Sequence, residues 1–551
     1  MQNTLYATIY FVIIATLTSC GGPSRLPTTK PIITARPNIL FIYTDDQSDR
    51  TVSCYEHAFD WVRTPNIDGL AAQGARFTQA HIGSWCMASR AAILTGLQQH
   101  AVESMRMAGP YPGSTYDPDK CKFWPAVFRQ QGYQTAHIGK WHTGVDAGFG
   151  RDWDFQKVWN RPAHPENAPN YYDNQLISTN GQKPVMTKGY STDNYTKWAT
   201  EYIKGTNRDA KKPWMLWLCY GAVHGPFTPA KRHLNNYKNV KVPTPKDVYP
   251  PRPTKPKYVQ TMEFWRPSKL TKAGKPAPDS IPLERAARKA IGRPMAMKDI
   301  PGKPLKDWVR QYHQGVLAID EGVGKLLVAL KESGQHDNTI VIFTSDQGFA
   351  WGQHGFKTKV APYHATVAAP MIVRVPDHWR NRDARSFPKG AVIKHPVSGV
   401  DITPSIFAWA GIKQPWFMHG NDITPLLKNP KAQWDHPSLL VHTGKQYGSD
   451  TNTVPAADNP KLIHGPGIPW YVMLAQGKYK YIRTLIKGEI EELYDSEKDP
   501  DELTNLALDP AHKKRLLTMR ADAVLELSRT DAKMVNNLPA VGTKPHTIKN
   551  K

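Results

Sequence analysis

Residues 38–46 have the sequence NILFIYTDD, an uninterrupted apolar, β-rich run that ends in the adjacent carboxylates Asp45 and Asp46. A run that is apolar at every position, rather than at alternate ones, is typical of a strand buried on both faces of a sheet. Three other apolar runs also lead into polar residues. They are 133–138 before Lys140-Trp141-His142, 214–223 before His224, and Thr339–Ser345 before Asp346-Gln347.

Helix candidates lie between these predicted strands. Thr64-Pro65 supplies a cap and a first-turn proline, and Gly74 ends that helix. Further candidates are residues 122–130, 305–331 and 403–410. The alternation predicts an α/β fold with a mostly parallel sheet sandwiched by helices. Since ligands of such sheets bind beyond the carboxyl ends of the strands, we expect the four polar clusters to meet in one crevice.

Two further divisions of the chain are visible in the pattern. A Pro- and Lys-rich insertion with little apolar periodicity occupies about 231–304. After about residue 420 the pattern predicts a strand pair, 471–475 and 478–485, around Gln476-Gly477, and a helix at 511–528. We therefore predict a main domain at 37–420 that contains the insertion, and a smaller C-terminal α+β domain with an antiparallel sheet at 421–551.

The N-terminus resembles a bacterial lipoprotein signal. Residues 5–17 are mostly apolar, and Thr18-Ser19-Cys20 precede Gly21-Gly22. The resemblance implies a signal peptide at 1–19, lipidation of Cys20, and a linker at 20–36. Residues 1–4 contain no Lys or Arg, which leaves an ordinary secretory peptide as the alternative. We expect export to the periplasm or cell surface, with the chain anchored through Cys20 to a bacterial outer membrane.

The charge balance favours anionic partners. Lys and Arg number 71 against 47 Asp and Glu, a net charge of +24. A basic surface that serves only solubility is the alternative interpretation. The sequence contains no helix-turn-helix, zinc-finger or RNA-binding signature, so nucleic acid is not an expected partner. Of the five cysteines, Cys54, Cys121 and Cys219 can form at most one disulfide, which excludes a disulfide scaffold.

Residues 86–96, CMASRAAILTG, form the most informative motif. Cys86 begins a predicted helix, where free amides and the dipole favour anions, and Arg90 lies one turn further. A buried free cysteine before an ordinary helix is the alternative. The segment resembles the signature Cys-x-(Pro or Ala)-Ser-Arg of the formylglycine-dependent type I sulfatases, members of the alkaline phosphatase-like superfamily. That resemblance implies that Cys86 becomes formylglycine (3-oxoalanine), whose hydrated aldehyde supplies the nucleophile, with Arg90 as electrostatic support.

Ala88 stands where proline is the commoner residue in that signature. The sequence therefore leaves open whether a formylglycine-generating enzyme or an anaerobic maturation enzyme modifies Cys86.

Asp45, Asp46, Asp346 and Gln347 form the candidate metal site. Adjacent carboxylates repel each other, and carboxylate and amide oxygens suit Ca²⁺ or Mg²⁺ rather than zinc. Helix-capping aspartates are the alternative. The resemblance implies that these four residues, with the side chain formed from Cys86, bind calcium. Family members more often have Asn or His where Gln347 stands.

Four more residues match short family elements. The resemblance implies that Lys140 contacts sulfate, that His142 assists the formylglycine hydroxyl and acts as a base, and that His224 protonates the leaving alcohol. Lys359 falls where the family has its second sulfate-binding lysine, and Lys357 is the alternative. Taken alone, these residues would be read as solvated lysines and packed histidines.

The resemblance covers about 37–509 and implies a sulfatase similar to the bacterial sulfatases that degrade polysaccharides. We predict a sulfated, algal-type polysaccharide or its oligosaccharides as substrate, because export, net charge and 17 Trp suit an anionic carbohydrate. The alternatives are a small-molecule arylsulfatase, a phosphatase or phosphodiesterase of the same fold, and a non-catalytic glycan-binding lipoprotein.

Overall fold

A ten-stranded sheet forms the centre of the molecule in the computed structural model. The structure describes residues 36–102, 117, 119, 121–267, 280–282, 304–382, 387–443, 463–464 and 467–545. The predicted signal peptide, Cys20 and most of the predicted linker lie outside these ranges, as does much of the insertion. Every described residue belongs to one compact unit, Ala35–Lys551.

The strands are numbered in chain order. They are β1 (Asn38–Thr44), β2 (Ala75–Phe77), β3 (Ala80–His81), β4 (Gln134–Lys140), β5 (Phe155–Trp159), β6 (Asp173–Thr179), β7 (Val185–Tyr190), β8 (Trp214–Cys219), β9 (Trp265–Pro267), β10 (Ser280–Pro282), β11 (Thr339–Ser345), β12 (Met371–Arg374), β13 (Ala391–Ile393), β14 (Val397–Ser398), β15 (Ser438–His442), β16 (Ile463–His464), β17 (Ile468–Pro469), β18 (Tyr471–Gln476), β19 (Tyr479–Thr484) and β20 (Glu491–Asp495).

The central sheet has the order β13-β2-β12-β11-β1-β8-β4-β5-β6-β7. Its five middle strands, β11 to β5 in that order, run parallel, and antiparallel pairs occur only toward the two edges of the described sheet. The prediction of a mostly parallel sheet is confirmed. All four apolar runs identified in the sequence become neighbouring strands of this parallel centre.

The described helices are likewise numbered in chain order. They are α1 (Pro65–Gln73), α2 (Cys86–Thr95), α3 (Trp124–Gln130), α4 (Ser191–Ile203), α5 (Lys257–Gln260), α6 (Leu305–Glu332), α7 (His364–Val367), α8 (Asp377–Arg382), α9 (Ile402–Ala410), α10 (Thr424–Lys428) and α11 (Lys513–Arg529). The predicted helices are all present, with ends shifted by one or two residues. The largest shifts are at α3 and α11, which both begin two residues later than predicted.

Strand β1 shows why the sheet is covered on both faces. All seven of its residues are buried. Leu40 and Ile42 pack into a hydrophobic cluster that includes side chains of α1, α4 and α6. Ile39 and Phe41 point the other way, into a cluster that includes side chains of α2, α3 and α9. Because successive strand residues face opposite sides, an uninterrupted apolar sequence is what a strand between two helical layers requires.

The predicted strand at 214–223 was too long. Strand β8 ends at Cys219, and the chain then turns toward the end of β1. The Val223 amide donates to the Asp45 carbonyl at 2.7 Å, and the Asp45 amide donates to the Ala222 carbonyl at 3.0 Å. This backbone exchange buries Ala222 and Val223 outside the sheet ladder, which explains why they are apolar without being strand residues.

A four-stranded antiparallel sheet, β15-β18-β19-β20, lies toward the C-terminus. β18 and β19 are joined through Gly477, whose φ of 56° permits the tight turn. One face of this sheet packs against α11, with Leu439 and Val441 meeting Leu516 and Met519. The predicted strand pair and antiparallel sheet are confirmed, while the proposed domain boundary at 420 stays a prediction.

The described part of the insertion is held by buried polar contacts. Arg252 donates to the carbonyls of Val248, Val259 and Met262, each at 2.9 Å. Lys255 is 1% exposed and donates to the Tyr494 hydroxyl at 2.6 Å. Arg252 therefore ties this segment together, and Lys255 joins it to the C-terminal sheet at Tyr494. Within the described ranges, no helix is long and apolar enough to cross a membrane. No disulfide joins any two of Cys54, Cys86, Cys121 and Cys219.

Candidate active site

Four neighbouring parallel strands carry the predicted site residues to one edge of the sheet. Asp45-Asp46 follow β1, Asp346-Gln347 follow β11, Lys140 ends β4, and His224 lies five residues beyond β8. These six residues are at most 8% exposed. The structure therefore brings the four polar clusters together, at the place where α/β sheets bind ligands.

Three carboxylates form the floor of the site. Asp45, Asp46 and Asp346 each offer an oxygen within 4.8 Å of the others, and all three are completely buried. The Asp46 amide, at a φ of 58°, donates to Asp346 Oδ1 at 2.8 Å. Burial and repulsion from Asp45 raise the pKa of Asp346 to about 7. Burial also raises the pKa of Asp46.

Asp45 behaves differently from its two neighbours. Burial acts to raise its pKa, but Lys140, His224 and Arg90 hold the pKa well below its usual range. The ammonium of Lys140 donates directly to Asp45 Oδ2. Asp45 is consequently the carboxylate of this cluster that stays ionised throughout the neutral range.

Two buried oxygens in the cluster accept no hydrogen bond from the described residues. They are Asp46 Oδ2 and Gln347 Oε1. Buried acceptors are normally satisfied, so both call for a cationic or donating partner. Carboxylate and amide oxygens beside one another are the ligands that Ca²⁺ and Mg²⁺ prefer. The residues present therefore fit a hard divalent cation, held by Asp45, Asp46, Asp346 and Gln347.

Cys86 is the first residue of α2 and is 1% exposed. Its Sγ lies 3.5 Å from Asp45 Oδ1 and 2.8 Å from the ammonium of Lys359. Gln347 Nε2 approaches the same sulfur at 3.7 Å. Burial and Asp45 raise the pKa of the Cys86 thiol to about 12. The side chain encoded at this position is thus a buried, protonated thiol beside the carboxylate cluster.

Arg90 supports the carboxylates from beneath. Its Nη2 lies 3.5 Å from Asp45 Oδ2 and 3.3 Å from Asp346 Oδ2, and its Nη1 donates to the Lys140 carbonyl at 3.0 Å. The guanidinium also lies 5.0 Å from the ring centre of Tyr43. Arg90 therefore links the ends of β1, β4 and β11 as well as adding positive charge.

The two candidates for the second sulfate-binding lysine, Lys359 and Lys357, occupy different places. Lys359 lies in the site, 2.6 Å from Asp46 Oδ1 and beside Cys86. Lys357 instead lies 5.9 Å from the ring centre of Trp265 and 6.0 Å from that of Trp308. Of the pair, Lys359 is the lysine that contacts the cysteine.

Both predicted histidines lie near the charged side chains of the site. His224 Nε2 lies 3.9 Å from Asp46 Oδ2, and its Nδ1 lies 2.8 Å from the Gly225 carbonyl. His142 has a φ of 66° and its Nε2 lies 2.8 Å from Arg161 Nη2. Burial lowers the pKa of both rings well below the usual value, so both are neutral at neutral pH.

Three residues that sequence reasoning missed also contact the site. Arg161 bonds His142, and Tyr171 stacks on His224 with ring centres 4.1 Å apart and an interplanar angle of 4°. The Tyr312 hydroxyl donates to the Asp46 carbonyl from α6. Arg161 could have been found as a cation that follows a strand, but β5 had not been recognised.

The geometry favours chemistry on an anion. Three fixed cations, Arg90, Lys140 and Lys359, lie beside the carboxylate cluster that Cys86 adjoins, and a divalent cation would add more positive charge. His142 and His224, both neutral, lie near these charges, and histidine is a side chain that can transfer protons.

Comparisons with known proteins agree with this arrangement. The family model described as Sulfatase matches residues 37–412, more than half of the chain. The N-acetylglucosamine-6-O-sulfatase of Bacteroides thetaiotaomicron is 29% identical over 527 residues, which covers 89% of this chain and 85% of that protein. The ulvan-active sulfatase of Formosa agariphila is 25% identical, with 92% and 84% covered.

Solved structures share the fold. A protein in complex with its substrate, D-glucosamine-2-N,6-O-disulfate, superposes with a TM-score of 0.70 at 24% identity, covering 90% of this chain and 99% of that one. The phosphonate monoester hydrolase of Agrobacterium radiobacter gives a TM-score of 0.62 at 19% identity, with 90% and 96% covered. The chain thus has an alkaline phosphatase-like fold, and it belongs to the sulfatase family as a sulfuric ester hydrolase.

Proposed function

We propose that this sulfatase hydrolyses sulfate esters of carbohydrates, with formylglycine made from Cys86 as its nucleophile. The observation that carries this proposal is the position of Cys86 Sγ, 3.5 Å from Asp45 and 2.8 Å from Lys359. A nucleophile there stands between the proposed metal ligands and a cation that can bind the sulfate. The same position lies at the N-terminus of α2, which favours negative charge.

Formylglycine and a divalent cation would supply the following chemistry. Formylglycine supplies, as its hydrate, an oxygen nucleophile and a second hydroxyl. The divalent cation supplies positive charge beside that nucleophile, and we propose Ca²⁺, with Mg²⁺ as the alternative. Asp45, Asp46, Asp346 and Gln347 would hold it, together with the modified side chain at position 86.

The side chains of the protein perform the remaining tasks. Lys140 and Lys359 balance the negative charge of the bound sulfate, and Arg90 holds Asp45, the carboxylate that positions Lys140. His224, exposed by 8% at the edge of the site, would give a proton to the departing alcohol oxygen once the negative charge of a bound sulfate ester favours the protonated ring. His142 forms a hydrogen bond with the hydroxyl of the modified residue.

The substrate proposal rests on relatives and on charge. The similar proteins include an N-acetylglucosamine-6-O-sulfatase, an ulvan-active sulfatase and a Δ4,5-hexuronate-2-O-sulfatase. The net charge of +24 attracts polyanions. We therefore favour a sulfated, algal-type polysaccharide or its oligosaccharides. Small aryl sulfates are the second candidate, because an arylsulfatase of Clostridium perfringens is 24% identical over 534 residues.

The location and maturation of the protein are also proposals. Export, cleavage before Cys20 and a lipid anchor follow from the N-terminal sequence. One relative is a putative extracellular sulfatase of Caenorhabditis elegans, which supports export. Modification of Cys86 requires a formylglycine-generating or anaerobic maturation enzyme as partner.

The decisive experiment compares the wild type with Cys86→Ala and with Cys54→Ala, a free and half-buried cysteine, as matched control. Each protein is purified from the native host and assayed on sulfated oligosaccharides and on aryl sulfates. The mass of the tryptic peptide 77–90 reports the modification. We expect activity only where that peptide carries formylglycine, and higher activity on the oligosaccharides. An active Cys86→Ala protein would refute the proposed nucleophile, and activity on aryl sulfates alone would refute the carbohydrate substrate.

A further inference from the structure

Arg161 is a half-buried arginine two residues beyond the end of β5, and it contacts two walls of the site. Its Nη2 lies 2.8 Å from His142 Nε2. Its Nη1 donates to the Tyr171 hydroxyl at 3.3 Å. Tyr171 is itself stacked on His224, so one guanidinium is connected to both histidines of the site.

The contact with His142 determines where the imidazole carries its proton. A guanidinium is always charged and has only N–H donors. His142 Nε2 must therefore accept, and it cannot carry hydrogen while Arg161 is in place. A neutral imidazole with an accepting Nε2 has its single proton on Nδ1.

The surroundings of His142 keep the ring neutral. It is 3% exposed. Burial has the largest effect on its pKa, and the charged or titratable groups that follow are Lys140, Arg161, Arg90 and His224, none of which is an anion. His142 Nδ1 is buried and has no hydrogen-bond partner among the described residues. The N–H at Nδ1 is consequently the one donor that this ring can offer to a ligand.

We propose that Arg161 is a positioning residue that fixes His142 as the Nδ1–H tautomer, so that His142 donates a hydrogen bond from Nδ1. This inference rests on the proposed function, and it replaces the base role that the family resemblance implies for His142. A ring with Nδ1 protonated and Nε2 occupied by a guanidinium has no nitrogen available to take a proton. Its Nδ1–H can instead orient the oxygen of the nucleophile or of the sulfate.

The first test reads the tautomer directly and does not require turnover. The holoenzyme is labelled with ¹⁵N-histidine, and its solid-state ¹⁵N spectrum is compared with that of His142→Asn to assign the His142 signals. We expect a protonated Nδ1 and an unprotonated Nε2 in the wild type. In Arg161→Met, which keeps the length of the side chain but removes its donors, we expect the Nε2–H form to appear. Protonated Nε2 in the wild type would overturn the inference.

The second test uses kinetics. For Arg161→Met we expect kcat to fall roughly 10- to 100-fold while KM changes less than threefold, because orientation of a reacting group is lost and substrate contacts remain. Arg161→Lys, which keeps a charged donor, should recover most of the loss. The matched control is Arg129→Met, since Arg129 forms a partly exposed ion pair with Asp154 at 2.6 Å; its kcat should stay within twofold of the wild type.

The outcomes separate the inference from the proposed function. An unchanged tautomer or unchanged kcat in Arg161→Met refutes the role of Arg161, even if the wild type hydrolyses sulfate esters. Equal losses in Arg161→Lys and Arg161→Met also refute it, because a donor would then be irrelevant. A wild type that carries formylglycine but cleaves no sulfate ester would refute the proposed function, whatever the spectrum shows.

Discussion

Lys359 and Lys357 form a natural matched pair for testing how the site works. They lie two residues apart, but only Lys359 contacts the carboxylate cluster and Cys86, whereas Lys357 lies against two tryptophans. Replacing each by methionine removes one positive charge and keeps a long, flexible side chain. The two variants therefore differ in the position of the lost charge and in little else.

The expected losses follow from those contacts. Lys359 Nζ is 2.6 Å from Asp46 and 2.8 Å from Cys86 Sγ in a site closed to solvent. Removing one preorganised electrostatic contact from an active site typically lowers kcat about 10²- to 10³-fold, or about 3–4 kcal/mol. We expect that range for Lys359→Met. Lys357→Met removes the cation–π contacts with Trp265 and Trp308, about 1–2 kcal/mol of stability, and its kcat should stay within twofold.

The assay measures kcat and KM of all three proteins on one sulfated substrate. Formylglycine content, determined from peptide mass, and bound calcium normalise the rates, and Tm reports stability. Arginine at 359 should restore part of the activity because it restores the charge. The reasoning is refuted if the Lys357 variant loses as much activity as the Lys359 variant, or if fully modified Lys359→Met keeps kcat within threefold of the wild type.

Three other perturbations have expected outcomes. Removing divalent cations with a chelator should abolish turnover and lower Tm, because three buried carboxylates then repel one another, and added Ca²⁺ should restore both; unaffected turnover would exclude the metal site. Burial raises the pKa of Asp320 from 3.8 to about 6. Between these two pH values the folded state binds more protons than the unfolded state, so the free energy of unfolding should fall by about 2–3 kcal/mol as the pH rises from 3.8 to about 6. Asp320→Asn should remove this pH dependence of the free energy of unfolding, and an unchanged dependence would show that Asp320 does not cause it. In Gly139→Ala a Cβ would lie 2.0 Å from the Cys219 carbonyl oxygen at a φ of +107°, so we expect little folded protein. Gly132→Ala, at a φ of +87° with open space around it, should cost only about 1–2 kcal/mol, and equal soluble yields of the two variants would show that the close approach is relieved.

The sheet and its carboxylates could be predicted because two simple rules apply to them. A strand between two helical layers is apolar at every position, as in β1, and polar residues at the carboxyl ends of parallel strands meet. Asp45 and Asp46 follow one such strand, β1, and Asp346 follows its parallel neighbour β11, so both rules apply. Strand β5 escaped prediction because its sequence is mixed; it reads FQKVW and has no uninterrupted apolar run.

Other site residues could not be derived from local pattern. Lys359 lies on an irregular segment after β11, and no periodicity distinguishes it from Lys357; the choice depended on family resemblance. Arg161 and Tyr171 follow the unrecognised strand β5. Tyr312 has the spacing of an ordinary core residue of α6, and only its hydroxyl contact with the Asp46 carbonyl shows a second task. Contacts of this kind depend on tertiary distances that spacing along the chain does not encode.

The order of strands in the sheet has a consequence for the timing of maturation. β1 is synthesised early, but its two neighbours are β8 and β11, and Asp46 and Asp346 are 300 residues apart. Contacts this distant in the chain form late, because a long loop must close first. Cys86 is 1% exposed once they have formed. If Cys86 is converted to formylglycine as proposed, the enzyme that oxidises its thiol has to act before these contacts close, and the slow topology of the sheet lengthens that interval.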